Sequence, residues 1–300
     1  MLELSHLRGV IPPIATPLTG EEKVDEPGMR RLVEHLLEGG VHGIFVAGTT
    51  GEFALLHDEE RRRSVEIVLA AVGGKVPVFV GVGDSSTARA AARAQEAKAL
   101  GADALVALLP YYQPTPTPDE MVTHFEGVLE ATDLPLLLYN IPQRVKNVIH
   151  LDAVTRLHEH SQVIGIKDSG EDAYYFHRLM LMESASFRVF QGSEGLAAAS
   201  LLMGCHGIVP GIGNLVPRLC VELYDAAQAK DVDSVRTLHH DLMEINRIWW
   251  LEGTSGIGAL KWALHLAGIC QPHVARPQAE PSTSARARIE AEVKKIKAYL

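Results

Sequence analysis

Eight short, uninterrupted apolar runs recur along this chain, and a stretch of helical periodicity follows each of them. They fall at 9–18, 43–49, 76–82, 104–110, 135–141, 163–169, 187–193 and 206–212. Apolar residues run through each without alternation, which reads as a strand covered on both faces, the signature of a parallel sheet. In the first intervening stretch Met29, Leu32, Val33, Leu36 and Leu37 recur at helical spacing, and Gly39-Gly40 follow as a stop. Asp58 is placed to cap a helix carrying Val65, Val68, Leu69 and Val72. Thr117-Pro118-Asp119-Glu120 has the form of a capping box, and Gly101 ends an Ala-rich helix that begins near Thr87. Strand then helix, eight times over, predicts an α/β chain folded as a (β/α)8 TIM barrel. The competing open, doubly wound sheet lacks its usual G-x-G-x-x-G after the first run.

Length and composition fit that architecture. A barrel takes about 250 residues, and the chain has 300. The eighth run ends near 212, and a helix over about 214–229 completes the barrel, giving a barrel at 1–229 and a C-terminal helical region at 230–300. There Val235, Leu238, Leu242, Ile245 and Trp249 form one apolar stripe, and further helices are expected at 256–268 and 283–299, with a loop over 272–284 between them. Acidic residues outnumber basic ones, 37 to 28, and the longest basic run is Arg61-Arg62-Arg63. That balance argues against a nucleic-acid partner, which needs a concentrated basic surface. The longest stretch without a charge, Gly195 to Pro217, is broken by glycines and two prolines and reads as barrel core rather than a membrane span. The three cysteines, Cys205, Cys220 and Cys270, have no C-x-x-C spacing, so neither a disulfide framework nor a zinc site is expected. The N-terminus does not read as a signal peptide, so a cytoplasmic protein is expected.

In a barrel of this kind chemistry sits at the C-terminal ends of the strands. Lys167 is the sharpest feature there, ending the buried run Val-Ile-Gly-Ile. Lysine is rarely buried unless it is paired or functional. An apolar pocket favours the neutral amine, the nucleophile that Schiff-base chemistry needs. The plain alternative is that Lys167 pairs with Asp168 or caps the strand end as a solvated charge. Tyr139 ends the preceding run and could shuttle protons or simply close the core rim. Thr49 and Thr50, between Gly48 and Gly51, offer hydroxyls and backbone N–H groups to a carboxylate, or an ordinary turn. Arg144 is a two-pronged donor suited to a carboxylate, and Tyr112 stands just before a Pro-rich loop at 113–118. The histidine clusters His158-Glu159-His160 and His239-His240 lack metal-binding spacing and read as solvated helix faces, so no metal site is expected.

Taken together, Gly-Thr-Thr-Gly-Glu at 48–52, Pro-Tyr-Tyr at 110–112, Tyr-Asn-Ile-Pro at 139–142 and Gly-Ile-Lys-Asp at 165–168 stand in order on the second, fourth, fifth and sixth strands. This resembles the pyruvate-dependent class I aldolase family that includes dihydrodipicolinate synthase and N-acetylneuraminate lyase, over about residues 7–275. The resemblance implies that Lys167 forms an imine with pyruvate and that Tyr139 relays protons. It implies that Thr49 links Tyr139 to a second tyrosine, Tyr112, which in the synthases reaches a neighbouring subunit's site. Thr50 would bind the pyruvate carboxylate, Gly192 and Val209 would line the pocket, and Arg144 would orient the second substrate. No cofactor is implied, and the assembly would be a homotetramer built from tight dimers.

The chain also departs from the synthase pattern. Phe53 stands where serine is usual, Asp168-Ser169 replace Glu-Ala, and Arg89 replaces the acidic residue of the feedback-lysine site, so no feedback by lysine is expected. The leading expectation is a Schiff-base lyase joining pyruvate to an aldehyde or running in reverse, most like dihydrodipicolinate synthase. A 2-keto-3-deoxy sugar acid aldolase or dehydratase competes with it. A metal-dependent aldolase and a non-catalytic keto-acid-binding barrel are the alternatives of other classes.

Overall fold

A computed structural model describes Leu4, residues 7–296 and Tyr299. Eight strands run parallel: β1 (Gly9–Val10), β2 (Ile44–Val46), β3 (Val78–Gly81), β4 (Ala104–Leu108), β5 (Leu136–Asn140), β6 (Val163–Asp168), β7 (Arg188–Gln191) and β8 (Gly207–Ile208). Their order around the sheet is β1-β8-β7-β6-β5-β4-β3-β2. The seam between β1 and β2 closes just beyond β1. There Phe45 N–H donates to Pro12 O (3.0 Å) and Ile14 N–H to Phe45 O (2.9 Å), around a parallel bridge of Pro13 with Phe45. This is the expected (β/α)8 barrel.

The helices around it are α1 (Glu26–Glu38), α2 (Asp58–Val72), α3 (Thr87–Leu100), α4 (Pro118–Leu129), α5 (Pro142–Val145), α6 (Leu151–His158), α7 (Ala173–Met180), α8 (Ala197–Leu202) and α9 (Pro217–Gln228). α10 (Val232–Asn246), α11 (Gly256–Leu266) and α12 (Thr283–Lys295) follow. Met29, Leu32, Val33 and Leu36 of α1 are buried, as their spacing predicts. Thr117 and Glu120 form the capping box of α4, each side chain receiving the other's backbone N–H. Gly101 caps α3 in the left-handed region (φ 92°), which glycine adopts without steric cost.

Several boundaries differ from expectation. The 9–18 run is a strand only at Gly9–Val10, because Pro12 and Pro13 have no N–H to extend the ladder. The 206–212 run is a strand only at Gly207–Ile208, and Ile212–Asn214 turns into a short 3-10 segment before α9 starts at Pro217. Asp58 is not the cap of α2. It is the first residue of that helix, His57 holds the cap position, and the Asp58 carboxylate pairs with Arg93. The apolar stripe from Val235 ends in a 3-10 turn at Arg247–Trp250. The last helix stops at Lys295, and the end of the expected 283–299 span includes 297 and 298, which lie outside the described residues.

A buried ion pair joins the α11 region to the barrel. Glu52, in the loop after β2, pairs with Lys261 of α11, and both side chains are fully enclosed. Glu52 Oε2 also accepts the N–H of Ala275 (2.8 Å), and Lys261 donates to His273 O (2.9 Å). No described helix is long and apolar enough to cross a membrane. All three cysteines are buried thiols, each pushed to a high pKa by burial.

Candidate active site

Register builds the centre of the site. β5 and β6 pair Leu136 with Val163 and then Leu137 with Gly165, so Ile164 is an extra residue, a bulge. Beyond it Tyr139 lies opposite Lys167, and Asn140 opposite Asp168. Successive strand residues face opposite sides. Tyr139 and Lys167 therefore share the inner side of the barrel, and Asn140 and Asp168 the outer.

The Lys167 side chain is only 3% exposed. Its Nζ lies 4.1 Å from the centre of the Tyr139 ring and 5.2 Å from that of Phe45. The two rings meet edge to face, 6.1 Å apart. The amine is not turned toward Asp168, whose Oδ1 instead accepts from Asn140 Nδ2 (2.7 Å) and Gly170 N (3.0 Å). So the structure disfavours the plain pairing of Lys167 with its neighbour.

Lys167 opens into a cavity of about 230 Å³ at the C-terminal ends of the strands. Thr49, Thr50, Tyr139, Arg144, Gly192 and Val209 line it with Lys167. Gly192 is held by its N–H to Asp168 O (2.7 Å), and Val209 by its N–H to Gln191 O (2.8 Å). A side chain at 192 has no room, since a Cβ there would lie 2.1 Å from Ser169 Oγ and 2.8 Å from Lys167 Cε. The remaining expected residue, Tyr112, is not in the cavity; it is 82% exposed. Thr49 and Arg144 also form the wall shared with a neighbouring cleft of about 480 Å³, lined by Phe53, Leu55, Tyr111 and Ile257. Arg89 lies elsewhere, its Nε donating to Asp84 Oδ1 (2.7 Å).

Sequence reasoning missed part of the wall. Ser169, Glu171, Ser193 and Glu194 line the cavity, and so do Trp249 and Ile257. The first four follow the sixth and seventh strands directly, and their position after Lys167 and Gly192 was the available signal. Trp249 gave none, because its spacing is that of a core stripe. Burial raises the pKa of Glu194, while backbone N–H groups, among them that of Ile212, and the charge of Lys167 pull it down. The histidine clusters are not simply solvated faces: His158 packs at a tilt against Phe187, ring centres 4.8 Å apart, and a ring nitrogen of His239 lies 3.0 Å from Glu194 O.

The molecule has close relatives in sequence and in shape. The model of the dihydrodipicolinate synthetase family matches residues 6–296. The chain is 35% identical to a 4-hydroxy-tetrahydrodipicolinate synthase of Methanopyrus kandleri, over 97% of each chain. It superposes on a dihydrodipicolinate synthase from Bacteroides thetaiotaomicron with a TM-score of 0.91 and 36% identity, covering 96% of this chain and 98% of the other. A prophage protein of the dihydrodipicolinic acid synthase family from E. coli K12, solved in complex with pyruvate, gives a TM-score of 0.91 at 28% identity over 97% and 99% of the two chains. A match along nearly the whole length, with the same fold, makes this chain an enzyme of the carbon–carbon lyase type and a member of the dihydrodipicolinate synthetase family.

Proposed function

We propose that this chain forms a Schiff base between Lys167 and pyruvate and uses it to make or break a carbon–carbon bond with an aldehyde. The observation that carries this reading is a buried lysine amine over the Tyr139 ring, opening into a cavity that also holds Thr49 and Thr50. The neutral amine attacks the ketone carbon, and water leaves to give a protonated imine. That cation is an electron sink, so a methyl proton departs and an enamine forms. The enamine carbon attacks the aldehyde carbon, and hydrolysis returns the amine. Tyr139, whose ring lies against the amine, carries protons to and from the imine. Thr50 and the backbone around Gly192 and Val209 hold the pyruvate end, and Arg144 meets the second substrate.

The activity closest to this reading is that of 4-hydroxy-tetrahydrodipicolinate synthase, the name carried by the Methanopyrus kandleri relative. A second reading has its own support. Ser169, Glu171, Ser193 and Glu194 bring hydroxyl and carboxyl groups to the cavity, which suits the hydroxylated chain of a 2-keto-3-deoxy sugar acid. Parallel assays with aspartate semialdehyde and with 2-keto-3-deoxygluconate separate the two. Under the same reading residues 1–229 are the catalytic barrel, and 230–300 supply one wall of the site. The enzyme would be cytoplasmic and a homotetramer of tight dimers, in which exposed Tyr112 serves a neighbouring subunit's site.

The decisive experiment is intact mass after incubation with pyruvate and borohydride. Wild type is expected to gain a reduced pyruvate adduct, and Lys167→Ala to gain none. An unmodified wild type would overturn the mechanism.

A further inference from the structure

The carboxyl of Asp168 has no part in the chemistry above, yet it is fully enclosed behind the reacting lysine. Its Oδ1 accepts two donors, Asn140 Nδ2 (2.7 Å) from the end of β5 and Gly170 N (3.0 Å) from the loop after β6. Asn140 passes the link on, since its Oδ1 accepts the N–H of Ile149 (3.0 Å) beyond α5. The main chain completes the knot. Ser169 N–H donates to Asn140 O (2.9 Å), and Gly192 N–H donates to Asp168 O (2.7 Å). Across the gap Gln143 Nε2 donates to Ser169 O (2.8 Å). The end of β5 leading into α5 with Arg144, the end of β6 with Lys167, and Gly192 just after β7 thus meet at one residue.

We propose that Asp168 is a positioning residue whose ionised carboxylate fastens the β5 loop carrying Arg144 to the β6 loop carrying Ser169, and so holds the rim of the site in register with Lys167. The proposal rests on the Schiff-base reading of that site. Among the described residues no cation pairs with this carboxylate. Its Oδ2 is buried and has no partner among the described residues, the kind of unmet polar atom that a fold keeps only at a cost. The groups facing it are the neutral amides Asn140 from β5 and Gln191 from β7, the phenol of Tyr175 from α7, and Asp172 at the cap of α7. Lys167 projects to the opposite side of the sheet. Burial, reinforced by Asp172, raises the Asp168 pKa to about 6 against the pull of Asn140 and Gly170. As pH falls through that value the carboxylate is neutralised, its charge-assisted bonds weaken, and the two loops part.

The test compares wild type with Asp168→Asn, which keeps an acceptor oxygen and cannot ionise, and with Asp168→Ala, which has neither. Pyruvate is trapped with cyanoborohydride from about pH 8 to about pH 5, and adduct formation is timed by mass. Any acid limb shared by all forms cancels in the ratio of Asp168→Asn to wild type, which is expected to rise about tenfold toward pH 5 as wild-type Asp168 is neutralised. A constant ratio overturns the proposal. Amide exchange, corrected for intrinsic rate, is followed in peptides covering 140–149 and 168–171 of the free enzyme. Both are expected to exchange faster in Asp168→Ala at every pH and in wild type only below pH 6, while exchange in Asp168→Asn shows no such pH dependence. Unchanged exchange in Asp168→Ala overturns the clasp. If wild type traps no pyruvate, the Schiff-base reading fails, and exchange alone decides the role of Asp168.

Discussion

Lys167 and Gly192 depend on each other at the scale of single atoms. The aliphatic stem of the lysine passes within 2.8 Å of where a Cβ on residue 192 would lie, so only glycine lets the amine reach the cavity. Nearby Ser169 Oγ would be closer still, at 2.1 Å, and the main chain is pinned by the bond from Gly192 N–H to Asp168 O. The added methyl of Gly192→Ala must therefore push the lysine stem or the Ser169 side chain. Displacing a reacting group by about 1 Å can cost about a hundredfold in rate. Gly192→Ala is expected to form the trapped pyruvate adduct about a hundredfold more slowly while melting cooperatively. A wild-type trapping rate would show that the pocket yields.

At the level of elements, the bulge at Ile164 determines what faces what. Without the extra residue Tyr139 would oppose Ile166, and a slip of one residue turns every side chain of a strand to the other face. Asp168 would then point into the barrel and Lys167 out of it. Gly165, next to the bulge, lets β6 and β7 approach closely, since a Cβ on it would lie 2.0 Å from Arg188 O, a backbone atom with no freedom to retreat. Gly165→Ala is expected to lose about 1–3 kcal/mol of stability by overpacking, measured by denaturant unfolding. Its adduct formation should fall as well, because the strain arises two residues before Lys167. Unchanged stability would mean that the strand pair shifts more easily than its register implies.

Over the whole molecule, the pair of Glu52 and Lys261 ties the loop beside Thr49 and Thr50 to α11, more than two hundred residues later in the chain. Burial lowers the pKa of Lys261, and Glu52 opposes that shift. Removing one partner strands the other charge in a dry interior, which typically costs about 3–5 kcal/mol, whereas replacing both by apolar side chains is often tolerated. Glu52→Ala and Lys261→Ala are each expected to lower stability by about that amount, and Glu52→Leu with Lys261→Met to recover much of it. The same melting experiment checks this: a double variant no better than the singles would mean that the bond Glu52 accepts from Ala275 and the one Lys261 donates to His273 matter more than the charges.

The sequence by itself determined the repeating unit, the number of strands and the place of Lys167, Tyr139, Thr49 and Thr50 at strand ends. Those properties are written in local periodicity and in the rarity of a lysine at the end of a buried run. It did not contain the strand lengths at Pro12 and Ile208, where hydrogen bonds to neighbouring strands decide what counts as a strand. It did not contain the bulge that pairs Tyr139 with Lys167, because register is a property of two strands and not of one. Asp168 read as a neighbour of Lys167, and only the sheet turned it to the far side, onto Asn140. Trp249 read as core, and only the return of the C-terminal segment to the barrel mouth made it a wall of the cavity. Contacts between residues distant in sequence are set when the whole chain closes on itself, and there the tertiary structure decided what local pattern could not.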